Sequence, residues 1–267
     1  MKGADIMKKL HFTYDMQIDY SVEVSHCNFT IKCIPQNTLR QTIDNLKINI
    51  SPAPHYQFGL DGFKNMQIWG ANTDTHVSFR FRLEGDAKTD NSSYEEEIDT
   101  DLAMVFAHPH GLNKAGNAIQ IFYETKIKNI EASRYNKVIE IVKLLYMEYE
   151  YQAGVTSVDT TAEEAFRLGH GVCQDFSHIL IALLHLSGIT ARYVTGFIIG
   201  EGKSHAWVEF LDNDKWYGVD PTHNKLVDDE YIKIAHGRDA KDCMINRGIM
   251  HGGGEHIQTI NVSVFEV

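Results

Sequence analysis

The chain has little of what would make it a disulfide scaffold, a membrane span or a nucleic-acid binder. Its 267 residues include four cysteines and five prolines. Cys27, Cys33, Cys173 and Cys243 have neither zinc-finger nor CxxC spacing, so neither a structural zinc nor a disulfide framework organises the fold. In a reducing compartment all four are expected to be free thiols. Positive charge is also scarce. Lys and Arg number 25 against 36 Asp and Glu, a formal net charge of -11, which argues against nucleic acid because phosphate binding needs a basic face. No apolar run approaches the length needed to span a bilayer. The opening MKGADIMKKLHFTYDMQIDY turns polar at every second position, unlike a secretory leader. The expectation is a cytoplasmic protein with no membrane or nucleic-acid partner.

What is present is alternation. Leu10, Phe12, Tyr14, Met16, Ile18, Tyr20, Val22 and Val24 take every second place, the period of a strand with one buried face. Cys27, Phe29, Ile31 and Cys33 repeat it, which makes those two cysteines core residues. Further alternating runs around Ile48, Met66 and Phe79 predict an antiparallel β-sandwich domain over residues 1–85. The acidic stretch over 86–110 reads as a linker or loop. Residues 111–267 read as a second domain, giving an α+β fold. RYNKVIEIVKLLYMEYEY has helical spacing, and TTAEEAFRLG opens with Thr160 three before Glu163, a capping-box pattern, and stops at Gly169.

One short stretch carries chemistry. GHGVCQDFSHILIALLHLSGI places Cys173 where a glycine-flanked turn passes into an apolar helix that stops at Gly188. A thiol in a first helical turn sits beside unpaired N–H groups and the positive end of the helix dipole, both of which favour thiolate. A packing cysteine is the plain alternative, so a base with an orienting group is required as support.

SHAWVEFLDNDKWYGVDPTHN (204–224) supplies both in one hairpin. His205, Trp207 and Glu209 share a strand face. A two-residue loop at Asn213-Asp214 pairs Asp212 with Lys215 and sets Trp207 opposite Asp220, with His205 as diagonal neighbour about 7–8 Å away. The expected roles are Cys173 as nucleophile, His205 as base and Asp220 as the carboxylate that orients the imidazole. The Cys173 backbone N–H is the expected oxyanion donor. Asp175 is expected to interact with the helix N-terminal N–H groups as a structural residue. His170 and His178 invite a zinc reading with Cys173 and His205, but the spacing is not a recognised one and a metal would consume the nucleophile. No metal or cofactor is expected.

These blocks, GVCQDFSHILIALLHLSGITARYVTGF, HAWVEF and WYGVDPTHN, in Cys, His, Asp order, resemble the bacterial transglutaminase-like superfamily, whose members include transglutaminase-like enzymes and proteins described as cysteine proteases. The resemblance implies a papain-like core in which the cysteine helix packs on an antiparallel sheet, preceded by a β-domain. It implies a thiol enzyme that takes the acyl group of a peptide or protein amide through a thioester, with hydrolysis favoured. The alternatives are amine transfer to protein glutamine, which cross-links, and a non-catalytic peptide-binding module. YEYQAGVT resembles the stretch ahead of the family's cysteine. Tyr151, Gln174 and Trp207 are the expected substrate or oxyanion contacts, and Trp207 is also suited to shielding an ion pair from water. Where many relatives read DPTN, this chain has Asp220-Pro221-Thr222-His223-Asn224, a departure expected to leave the triad untouched.

Overall fold

A computed structural model describes residues 7–52, 55–91 and 100–267. The alternating N-terminal run is a single long strand, β1 (Lys8–Ile31), with Leu10, Phe12, Tyr14 and Met16 wholly buried. Strands β2 (Gln41–Ser51), β3 (His55–Leu60), β4 (Met66–Asn72) and β5 (His76–Thr89) follow. The first half of β1 pairs with β5 and the second with β4, both antiparallel. Its register with β5 slips between Asp19 and Val24. Beyond the slip, Phe29 lies 5.0 Å from Phe79, which pairs with Ile18. Eleven residues of straight strand span about 35 Å, so the sheet curls back over itself.

Helices α1 (Thr100–Phe106), α2 (Asn117–Phe122) and α3 (Arg134–Glu148) lead to the short strand β6 (Glu150–Tyr151), α4 (Ala162–Leu168), the short strand β7 (His170–Gly171) and α5 (Cys173–Leu186). Then come β8 (Ala191–Ile198), β9 (Gly200–Gly202), β10 (His205–Asp212), β11 (Lys215–Asp220), β12 (Lys225–Leu226), β13 (Tyr231–Gly237), β14 (Asn246–Gly252) and β15 (His256–Glu266). A second antiparallel sheet has the order β12-β11-β10-β8-β13. Helix α5 packs on it against the buried Ala206, Val208 and Phe210. Phe197 on β8 reaches Phe12 and Tyr14 at 5.9 and 5.8 Å, so one apolar core runs through both sheets.

Three expectations change. The first 85 residues are not a sandwich of two sheets, because β1 through β5 belong to one curled sheet that also takes β9, β14 and β15. Strand β15 runs along β1 from Leu10 opposite Glu266 to Tyr20 opposite His256. The division at 85 and 111 therefore does not follow the sheets. Alternation reveals which face of a strand is buried, whereas its lateral neighbours are set by tertiary pairing. In the expected linker, β5 continues to Thr89 and α1 begins at Thr100, while residues 92–99 of the acidic run lie outside the described residues. The capping box of α4 sits one residue later than expected. Thr161 Oγ1 accepts from Glu164 N, and Glu164 Oε2 accepts from Thr161 N. Glu163 instead accepts from Ala118 and Ile119 at the start of α2.

Two residues tie the core to its stability. Gly196 on β8 faces His205 across the ladder, and a Cβ there would land against the Ile232 carbonyl and the Trp207 ring. Gly196→Ala is expected to lower stability by about 1–3 kcal/mol; an unchanged urea midpoint would show that β13 yields freely. His178 is fully buried in α5, its Nε2 accepting from Ala240 N at 3.1 Å. Burial, opposed only by the nearby Asp239 charge, lowers its pKa to about 4. As pH falls from about 6.5 towards 4 the unfolded ring takes a proton that the folded ring refuses, so stability drops by about 1.4 kcal/mol per unit. Between about pH 7.5 and about pH 5, His178→Gln, which keeps an acceptor, is expected to lose roughly 2 kcal/mol less than the native protein. Equal losses in urea titrations would overturn this.

Candidate active site

Two elements meet at the site. The first is the head of α5. Gly169 closes α4 in the left-handed conformation (φ 73°), a cap suited to glycine. The chain then passes through Gly171, whose missing side chain leaves room for Asp175 and the Tyr149 hydroxyl. Asp175, 1% exposed, folds back as expected to accept from Val172 N at 2.8 Å, and also accepts from Thr156 Oγ1 at 2.7 Å. This fixes the turn immediately before Cys173, the first residue of the helix and half-buried.

The second element is the β10–β11 hairpin. Asn213 and Asp214 both take positive φ, 48° and 62°, as a two-residue type I′ loop requires. Asp212 then pairs with Lys215 and Val208 with Val219, the register expected from sequence. That register brings His205 and Asp220 together. His205 Nε2 donates to Asp220 Oδ2 at 2.7 Å, and the Cys173 thiol acts on the same ring, by hydrogen bonding and by charge, to favour its protonated form. Cys173, His205 and Asp220 thus form one connected row.

Asp220 is completely buried. A carboxylate in that position needs compensating donors, and it has five. Oδ1 accepts from the backbone N–H of Thr222 (2.8 Å) and His223 (3.3 Å). Oδ2 accepts from His205, from His223 Nδ1 (2.7 Å) and from the Tyr231 hydroxyl (2.7 Å). Burial pushes its pKa up, but the hydrogen bonds from His205 and His223, the His205 charge and the Tyr231 hydrogen bond hold it well below the usual carboxylate range. For His205, burial disfavours the charged ring. The hydrogen bonds to Asp220 and Cys173 and the charges of both outweigh it, raising the pKa to about 10.

The expected accessory residues divide. Tyr151 is drawn beside the cysteine turn by a short parallel pairing with Gly171. Burial and then the Cys173 charge raise its pKa. Trp207, 1% exposed, packs edge-on to Tyr231 at 5.3 Å and lies 6.4 Å from His205, so it covers the imidazole from within and is closed to substrate. Gln174 is turned away, donating to Val158 O at 3.3 Å. His170 leans on Glu150 and His178 is spent on Ala240, so neither joins Cys173 and His205.

His223 corrects the expectation that the DPTHN departure leaves the triad untouched, since its side chain binds the triad carboxylate. The Asp-Pro turn carries it back towards Asp220, a signal present in the sequence. Tyr231 had no such signal, because it arrives from β13. Among the described residues, His205, Asp220 and His223 are the group whose metal-binding atoms converge, all within 4.8 Å of one another. A cavity of about 650 Å³ lies elsewhere, lined by residues including Phe63, Phe106, Arg192, Trp216, Lys233 and His236. None of the three connected residues lines it.

Residues 123–221 match the family model of the transglutaminase-like superfamily, and this stretch is a transglutaminase-like superfamily domain. It holds Cys173, His205 and Asp220 together. An uncharacterized protein of Mycobacterium tuberculosis is 26% identical over 278 residues, covering 86% of this chain and 83% of its own. One of Mycobacterium leprae is 32% identical over 127 residues, 44% of this chain and 45% of its own. The crystal structure of a "putative cysteine protease" from Cytophaga hutchinsonii superposes with a TM-score of 0.81 at 23% identity, covering 98% of this chain and 91% of that one. That likeness is one of fold, and it extends over both sheets. Among the described residues no helix is long and apolar enough to cross a membrane.

Cysteine exposure yields a direct check. Cys27, Cys33 and Cys243 are 4%, 0% and 3% exposed, and burial pushes all three thiols up. At neutral pH, limiting iodoacetamide is expected to modify one equivalent, on Cys173, as read by peptide mass mapping. Earlier labelling of any other cysteine would contradict the geometry.

Proposed function

We propose that this protein is a thiol enzyme that cleaves an amide of a peptide or protein through an acyl-thioester on Cys173, with water as the acceptor. The observation that carries this reading is the row Cys173–His205–Asp220, with the imidazole hydrogen-bonded to the buried carboxylate and interacting with the Cys173 thiol. Burial in a low-dielectric setting strengthens each of these contacts.

The chemistry follows from the proton positions. His205 takes the Cys173 proton and holds it as imidazolium, with Asp220 fixing tautomer and ring orientation. The thiolate attacks the carbonyl carbon, forming a C–S bond as the carbonyl electrons move to oxygen. The Cys173 backbone N–H, outside the helical ladder at the first turn, is the donor proposed for that oxyanion. The Tyr151 hydroxyl is proposed as a second contact on the same side. Collapse breaks the C–N bond while His205 returns its proton to the leaving amine. Water, deprotonated by the now neutral His205, then adds to the thioester and releases the acid with the thiol restored. The Trp207 and Tyr231 rings keep bulk water from the inner side of the imidazole.

Cys173→Ala is expected to abolish turnover of a peptide-amide library. Asp220→Asn is expected to reduce kcat/KM by about 10⁴, because the tautomer of His205 is no longer enforced. The acceptor is read by supplying a glutamine peptide with a labelled amine. Release of acid and ammonia without label supports hydrolysis, whereas stable incorporation of the amine would replace this reading with acyl transfer. Full activity in Cys173→Ala would end it.

A further inference from the structure

We propose that His205, Asp220 and His223 form a binding site for a borderline divalent cation, with Zn²⁺ the best fit, on the side of the imidazole away from Cys173. Three donors of the type zinc prefers, two imidazole nitrogens and a carboxylate oxygen, converge there. His205 Nε2 and His223 Nδ1 each stand 2.7 Å from Asp220 Oδ2, and all three atoms lie within 4.8 Å of one another.

The carboxylate is already aimed. Backbone N–H groups of Thr222 and His223 hold Oδ1, and Tyr231 donates to Oδ2. Such outer contacts orient first ligands in metal sites. The rings are close to one another too, with centroids 5.2 Å apart. Zinc bonds of about 2.0–2.1 Å in tetrahedral geometry put donors roughly 3.3 Å apart, so each ring has to withdraw from Oδ2 by about half an ångström while the two ring nitrogens, within 4.8 Å of one another, settle at the same spacing. Access comes through His223, whose side chain is 48% exposed, while Asp220 is wholly enclosed. Solvent can fill the fourth position from that side.

Entry of the ion is an exchange for protons. The Nε2 proton of His205 leaves to solvent, and the Nδ1 proton of His223 is given up to solvent as Nε2 of the same ring carries one, so that both facing nitrogens present a lone pair. No co-reactant is needed. The consequence for catalysis rests on the enzyme reading above. A ring metallated at Nε2 can cycle only between Nδ1–H and imidazolate, a much harder deprotonation than imidazolium to imidazole, so the bound ion inhibits.

The test separates this site from the sulfur. Zn²⁺ is titrated calorimetrically into the full chain carrying Cys173→Ala, so binding is read whether or not the protein is an enzyme. One equivalent is expected. Adding His223→Asn, whose amide can still donate to Asp220 but is a poor zinc ligand, is expected to weaken binding by at least about tenfold, with an unchanged circular dichroism spectrum verifying the fold. Loss of binding in Cys173→Ala alone would assign the ion to the thiolate and overturn the proposal. Equal affinity with and without His223→Asn would overturn it as well.

Discussion

The site depends on keeping a carboxylate ionised where water cannot reach it. Asp220 is wholly buried, and removing such a charge from water costs several kcal/mol unless donors replace the solvent. Five donors do so, and they come from three directions. The Asp-Pro turn that follows β11 brings two backbone N–H groups and His223, β10 brings His205, and β13 brings Tyr231. No single donor carries the charge, so the imidazole does not have to neutralise it. That leaves His205 able to gain and lose a proton while the carboxylate beneath it stays put.

Positioning the sulfur is a separate problem, solved by packing. Helix α5 is apolar around its circumference, with Ile179 to Leu184 at most 1% exposed, and such a helix is immobilised by its surroundings. Its direction is set at the first turn, where Asp175 locks Val172 and Gly171 admits Asp175. The hairpin fixes His205 independently through its loop conformation. The interaction of Cys173 with His205 therefore joins two rigid parts, as preorganised chemistry requires.

Much of this was legible from residue pattern because it is local. Spacing of three and four identified α5, alternation identified β1, and the Asn-Asp loop fixed the hairpin register that brings His205 to Asp220. The capping box was displaced by one residue because Thr160 and Thr161, like Glu163 and Glu164, are interchangeable in sequence. Only the neighbouring N-terminus of α2 decides which glutamate is free for capping. Lateral neighbours were not legible. Nothing in residues 1–85 states that the exposed edge of β1 is taken by β15, whose pairing spans more than two hundred positions of sequence. Tyr231 was missed for the same reason, since a donor arriving from a non-adjacent strand leaves no local spacing.

The curled sheet and the second sheet are also linked at the outer edge of β13, the end strand of its sheet among the described residues. Unpaired edge groups buried in an interior are costly. Two side-chain amides take the place of a strand. Gln41, 4% exposed, donates to Lys233 O and accepts from Lys233 N, both at 2.8 Å. Asn65, 1% exposed, does the same with His236, at 2.8 and 2.9 Å. Each amide reproduces the donor–acceptor pair of a peptide unit, and the two flank the irregularity in β13 between Lys233 and Ala235. Both come from the curled sheet and its loops, while β13 carries Tyr231 to Asp220. The N-terminal region thus supports the strand that completes the buried carboxylate's shell.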